Sequence, residues 1–349
     1  MIWDQSERRA VTSKEKPCAM RLDDFGERRL IDEIVLPILA NHQAEYLGDD
    51  CAVLPINETQ SLLMTTDAGP RRPFLTSLGV GTFSDLGHFF ATMSLSDIAA
   101  MGGRPLALVA AFISPSDLSV QDFKDLIGGI SQACKEVGAK YVGGDTKEGT
   151  ELRVVTTAVG IVHNDAILTR TGAQIEDIVC TSGPIGKALY NYIVSSLRQR
   201  EGQTIAVDRP RARVEFAQLL ARQQLATSCM DMSDGPIATA QTIGKINQVV
   251  INLDVDSLQI TPSPVDHFSS QAWKELVLNV GGDFELMFTA RPSSVSTITM
   301  LGGIVCGSVV GSKSGPGLRL SGSLPTSTLT PWEHFDSAST ITKILKELI

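Results

Sequence analysis

The chain reads as an α/β (α+β) protein of two comparable domains, and three observations predict this. Helical and β-like segments alternate, the alternation runs through two similar successions, and 349 residues with 43% hydrophobic content bury two cores more readily than one. The successions meet near residues 163–175. The domains therefore divide as 21–165 and 166–349, after a polar leader over 1–20 without apolar periodicity.

The first domain opens with a helix from about 23 to 40, where Leu30, Ile34 and Ile38 recur at helical spacing. β-like runs follow at 51–55 and 61–66, then a helix at 85–100, a strand at 106–113, a helix at 120–137, and strands at 140–144 and 153–162. The second succession starts with the run 177–181 and helices at 187–197 and 213–220. It continues through the segment 228–234, a helix near 238–246, a strand at 248–253, and a strand pair at 285–290 and 303–309.

Composition removes several function classes. A net charge of −9, with no local Lys/Arg run, repels a phosphate backbone, so nucleic acid is not an expected partner. The longest apolar stretch, 106–113, is far below the roughly 20 residues needed to span a bilayer, and residues 1–20 lack the apolar core of a signal peptide. Six cysteines stand far apart without a CxxC pair, and five histidines are equally dispersed. Neither a disulfide framework nor a zinc site is indicated, and a reducing cytoplasm is the expected setting.

What chemistry remains is carried by acids in short Gly/Ser/Thr/Asp motifs. Gly48-Asp49-Asp50 and Thr65-Thr66-Asp67 place carboxylates and hydroxyls at the ends of neighbouring extended runs, a hard-oxygen set that suits Mg²⁺. Either motif alone also serves as a turn or a helix cap. In Ser94-Leu95-Ser96-Asp97-Ile98-Ala99-Ala100-Met101-Gly102 the acid interrupts a strongly apolar helix. A buried ionised Asp is costly unless paired or metal-bound, so Asp97 is the foremost metal-ligand candidate. Gly143-Gly144-Asp145-Thr146 and Asp231-Met232-Ser233-Asp234-Gly235 pair glycines that admit phosphate with acids that hold a bridging metal. No GxxxxGK[ST], GxGxxG or GxSxG motif is present, and Ser182-Gly183-Pro184-Ile185-Gly186-Lys187 reads as a strand-to-helix turn.

In order, Gly48-Asp49-Asp50, Thr65-Thr66-Asp67, 95–102, Gly143-Gly144-Asp145-Thr146, Thr169-Arg170-Thr171-Gly172-Ala173 and 231–235 resemble the thiamine-monophosphate kinase family of the aminoimidazole ribonucleotide synthetase (AIR synthase-related) superfamily. The resemblance implies a homodimer in which the N-terminal domain supplies the ATP site and the C-terminal domain closes over it. It implies Mg²⁺ at Asp50, Thr65, Thr66, Asp67, Asp97, Asp145, Asp231 and Asp234, with Asp97, Asp145 and Asp234 central to catalysis. Gly144, Asp145, Arg170 and Ser233 would contact ATP, whose γ-phosphoryl passes to a phosphorylated small molecule. On the acceptor side the sequence departs from the family. Phe74 stands near an expected histidine, and Gly281-Gly282-Asp283-Phe284-Glu285-Leu286 is one residue shorter than its counterpart. Arg71, Arg72, Phe74 and Asp283 are the candidate acceptor contacts. Another small anionic substrate, or a nucleotide-binding homodimer without turnover, stays open beside the kinase.

Overall fold

The computed structural model describes residues 22, 26–41, 46–70, 73–203, 206–263, 270–312 and 315–323. The leader over 1–20 and the candidates Arg71 and Arg72 lie outside the described residues. The first half contains α1 (Glu27–Leu30), a π-type turn (Ile31–Val35), α2 (Leu36–Ala40), β1 (Ala52–Pro55), β2 (Gln60–Ala68), α3 (Phe74–Ser77) and α4 (Phe83–Ala100). It continues with β3 (Arg104–Ser114), α5 (Val120–Glu136), β4 (Lys140–Glu148) and β5 (Arg153–His163). The second half contains β6 (Ile178–Thr181), α6 (Lys187–Arg200), α7 (Val214–Arg222), β7 (Ala226–Asp231), α8 (Pro236–Ile246) and β8 (Val250–Asp254). After these come α9 (Ser270–Asn279), β9 (Leu286–Ala290), α10 (Val295–Met300), β10 (Ile304–Val310) and β11 (Gly317–Ser321).

The first sheet has the order β1-β2-β5-β3-β4, with only the β3–β4 pair parallel. Alternation along its strands gives it two unlike faces. Leu63, Leu108, Ala110, Phe112, Val154 and Ala158 are buried and share a core with Leu95 and Ile98 of α4 and Leu126 and Ile130 of α5. Leu54, Met64, Val109 and Ile113 project from the other face and stay exposed in this chain.

α4 starts two residues before the expected 85. Thr82 and Asp85 form a reciprocal cap, the Thr82 hydroxyl accepting from the Asp85 N–H while the Asp85 carboxylate accepts from Thr82 N at 2.7 Å. The helix then runs between the two halves, and its last residues, Ala99 and Ala100, join the core of the second half beside Val214, Ala217 and Phe288.

The second sheet has the order β11-β8-β10-β6-β9-β7 and is covered on both faces. Val179, Met230 and Met287 face the core that includes residues of α6, α8 and α9, while the alternate residues Cys180, Cys229, Leu286 and Phe288 face that of α7 and α10. Five cysteines among the described residues are buried free thiols. Among the described residues, no helix is long and apolar enough to cross a membrane.

Some expectations shift. The strand over 140–144 runs on to Glu148, so Gly143-Gly144-Asp145-Thr146 lies within β4 and not after it. A side chain at 144 would strike the Ala110 carbonyl at 1.7 Å, so the glycine lets β4 lie close to β3. The segment 27–40 is helical as expected, but Ile34, Ile38 and their neighbours are not buried in this chain. α9 and β11 were not expected: Trp273, Leu276 and Val277 bury without a long periodic run, and β11 is a short edge strand in a Gly/Ser-rich segment.

Candidate functional site

The motif acids converge where α4 meets β7. One carboxylate oxygen each from Asp50, Asp97 and Asp231 lies within 4.8 Å of the other two. Asp50 follows a loop into β1, Asp97 sits in the last turn of α4, and Asp231 ends β7, so the cluster joins three separate stretches from both halves.

Hydroxyls on α4 and β2 set the acids. Ser94 Oγ donates to Asp67 at 2.6 Å, Ser96 Oγ donates to Asp231 at 2.8 Å, and Thr65 Oγ1 donates to Asp97 at 2.6 Å. The period of two along β2 explains why Thr65 and Asp67 point at α4. It also turns Thr66 to the opposite face, where its hydroxyl lies 2.9 Å from that of Thr157. Ser233 Oγ donates to Asp231 at 2.9 Å, and Asp234 beside it bears on the charge of Asp67.

Arg170 supplies the counter-charge. Its guanidinium donates to Asp50 Oδ1 at 2.6 Å and to the Gly48 carbonyl at 3.0 Å, and its backbone N–H donates to Asp49 at 2.5 Å. Burial works against the guanidinium charge, but Asp50, Asp231 and Asp97 hold it firmly ionised. One positive group against so many acids leaves the site short of cations. Burial, then Asp67, Asp231 and Asp50, push the Asp97 carboxyl well above its usual range. Burial and Asp50 push Asp231 up to about 7, against donors from Ser96 and Ser233. Burial pushes Asp49 up to about 6. Asp67 is raised by burial first, with its Ser94 donor opposing.

A divalent cation answers both deficits. Asp50 Oδ2 is buried without a hydrogen-bond partner, and an all-oxygen set of carboxylates and hydroxyls has the chemistry of a Mg²⁺ site. The residues present therefore fit the group that the sequence implies.

Other expected residues stand apart from this cluster. Gly144 shares a cross-strand row with Ala110, Thr156 and Asp67, three strands from Asp67. At ~4.8 Å per strand that is roughly 14 Å. Asp145 lies next to it on the edge strand, its side chain 64% exposed and 3.6 Å from Lys147. Phe74 opens α3 and packs half-buried on the core of the second half.

Asp283 is engaged elsewhere. Its carboxylate accepts from the backbone N–H groups of Gly186 at 2.6 Å and Ala188 at 2.7 Å, filling the positive end of α6. The segment 182–187 is the strand-to-helix turn expected of it, with its anion position taken by the protein's own carboxylate. Phe284 follows in the left-handed region at φ 54°, buried with its ring 5.6 Å from that of Phe89. Gly281 brings this segment against the acid motif, since a side chain there would lie 1.5 Å from the Ser233 carbonyl.

The partners of Ser94 and Ser96 are not legible in the sequence, because a short polar side chain on a helix shows its partner only after the helix docks. Asn247 carried no signal at all.

Residues 48–162 match the family described as AIR synthase related protein, N-terminal domain. The chain is 30% identical over 271 residues to the thiamine-monophosphate kinase of Pyrococcus abyssi, covering 76% of this chain and 84% of that one. Among solved structures, AaThiL complexed with AMPPCP and TMP superposes with a TM-score of 0.73 at 22% identity, covering 91% of this chain and 99% of that one. The thiamine-monophosphate kinase of Stenotrophomonas maltophilia superposes with a TM-score of 0.65 at 25% identity, covering 84% and 96%. Identity and coverage of the Pyrococcus abyssi relative, together with the architecture, place the chain: it belongs to the thiamine-monophosphate kinase family.

Proposed function

We propose that this chain transfers the γ-phosphoryl group of ATP to the phosphate of thiamine monophosphate, giving ADP and thiamine diphosphate. The convergence of Asp50, Asp97 and Asp231 at one point between the two halves is the observation that carries the reading. The family's reaction brings two polyanions together, and a pocket of acids suits that only if cations bridge them. Bound Mg²⁺ supplies charge neutralisation and alignment of phosphate oxygens.

In this reading Asp50, Asp67, Asp97 and Asp231 hold the metal, with Asp234 beside them and Thr65 fixing Asp97. Asp97 and Asp234 are central to transfer. Arg170 and Ser233 face ATP, Arg170 keeping its guanidinium at the metal site through Asp50. An acceptor phosphate with a second pKa near 6 is already largely dianionic at neutral pH, so no side chain has to remove a proton. The residues position and shield; in-line displacement follows from alignment. The two halves, 21–165 and 166–349, act as two domains that close on the nucleotide.

The expected roles of Gly144, Asp145 and Thr66 call for a second copy of the chain. Leu54, Met64, Val109 and Ile113 form an uncovered apolar face on the first sheet, and β4 offers an open edge beside it. A homodimer built on this face covers it and brings the β4 motif of one copy to an interface. Phe74 and Asp283 serve the acceptor side through packing and loop shape.

Incubation of the protein with labelled ATP, Mg²⁺ and thiamine monophosphate tests the reading. Labelled thiamine diphosphate is the expected product. Tight ATP binding without product would leave a nucleotide-binding dimer, and product only with another phosphorylated acceptor would move the specificity.

A further inference from the structure

The loop that carries Arg170 crosses between the two halves, and both peptide groups of that arginine are held by side chains. Its N–H donates to Asp49 from the first half. Its carbonyl accepts from Asn247 Nδ2 at 2.8 Å, from the C-terminal end of α8.

Asn247 is saturated. Oδ1 accepts from the N–H groups of Gly172 at 2.7 Å and Ala173 at 3.1 Å, and Nδ2 donates to the carbonyls of Arg170 and Ile243. Two lone pairs and two hydrogens are the whole capacity of a carboxamide, and no other residue type offers the same four groups at this length. The partners also fix its orientation, two N–H donors on one side and two carbonyls on the other. The same loop is docked on β7, where Cys229 N donates to the Thr169 carbonyl at 2.7 Å.

We propose that Asn247 is a positioning residue that sets Arg170 against Asp50, acting through the loop 169–173 and without touching ligand. α8 begins directly after the Ser233-Asp234-Gly235 turn and ends at Asn247, so one rigid helix ties the spacing of that turn to the spacing of Arg170. Releasing the carboxamide frees three successive peptide groups of the loop, and the guanidinium then loses its fixed approach to Asp50. The inference rests on the reading that ATP binds with Mg²⁺ beside Arg170.

A double-mutant cycle with two readouts tests it. In limited digestion with trypsin, Asn247→Leu should be cut after Arg170 at least ~10-fold faster than the unmodified chain. Asn247→Asp, which keeps the acceptor for Gly172 and Ala173 but loses the donor to Arg170, should be cut at an intermediate rate. By calorimetry with Mg²⁺, Asn247→Leu should bind ATP at least ~10-fold more weakly, and the same change in an Arg170→Ala background should cost less than about 2-fold. Equal losses in both backgrounds would make Asn247 a helix cap only, and unchanged digestion would remove the role altogether. If the unmodified chain fails to bind ATP, the functional reading falls, while the digestion arm still decides the hold on Arg170.

Discussion

Ser96 and Asp231 join the two halves of the molecule by a buried hydrogen bond of 2.8 Å from α4 to the end of β7. One residue further along α4, Asp97 accepts from Thr65 on the first sheet. Adjacent residues of one helix thus reach opposite halves, and the acid cluster lies where those reaches cross.

Replacing Asp97 by Asn keeps the volume and removes a charge from a crowded site. Turnover should fall at least ~100-fold, on the scale of losing one central electrostatic group. The metal-free protein should become more stable, because Asp97 is raised by burial and its acidic neighbours. Steady-state kinetics with a thermal melt in chelator checks both. Retained turnover at saturating Mg²⁺ would reduce Asp97 to a structural group.

The pH dependence of the metal-free protein follows from the same acids. Asp49 and Asp231 have folded pKa values of about 6 and about 7, above the ordinary 3.8. Between about pH 4 and 7 the folded state binds more protons than the unfolded state, so stability falls as pH rises through that window. In chelator the melting temperature should be lower at pH 7.5 than at pH 5.5, and added Mg²⁺ should recover more at the higher pH. A flat profile in chelator would contradict the strained acid cluster.

ATP should raise the melting temperature only when Mg²⁺ is present, because the acids otherwise repel the triphosphate. Equal stabilisation in excess chelator would show nucleotide binding that does not pass through the carboxylates.

Asp283→Ala removes the anion at the start of α6 and leaves the N–H groups of Gly186 and Ala188 open. The cost should be about 1 to 2 kcal/mol of stability, as for loss of a helix cap. The KM for the acceptor should change less than about 3-fold, which is about half of the 1.4 kcal/mol that a tenfold change represents. A large rise in KM without a change in melting temperature would return Asp283 to the substrate.

The alternating elements, the two successions and the acids that meet in the cluster were legible because hydrophobic periodicity and clustered carboxylates are local signals. Asp50, Asp97 and Asp231 were named from the chain alone and meet in space. The side of a strand on which a residue falls was less legible: Thr66 was grouped with Thr65 and Asp67, and pleating turns it away. Asp283 is an acceptor candidate only through the family motif, and its bonds to Gly186 and Ala188 at the start of α6 were not legible because those partners lie 97 and 95 residues earlier in the chain. Asn247 stayed hidden because its partners are backbone groups of a loop 74 to 77 residues away.

The placement of α4 bears on cooperativity. A helix whose residues are hydrogen-bonded to both sheets, with the acid cluster at its end, makes occupancy of the cluster a bond between the halves. With the cluster empty, the crowding of Asp50, Asp97 and Asp231 weakens the tie between the halves, and differential scanning calorimetry should resolve separate melting of the two layers. With Mg²⁺ and nucleotide in place the halves share one binding free energy, and the same scan should merge into a single two-state transition. Ligand thereby changes how many units unfold as well as the temperature at which they do so.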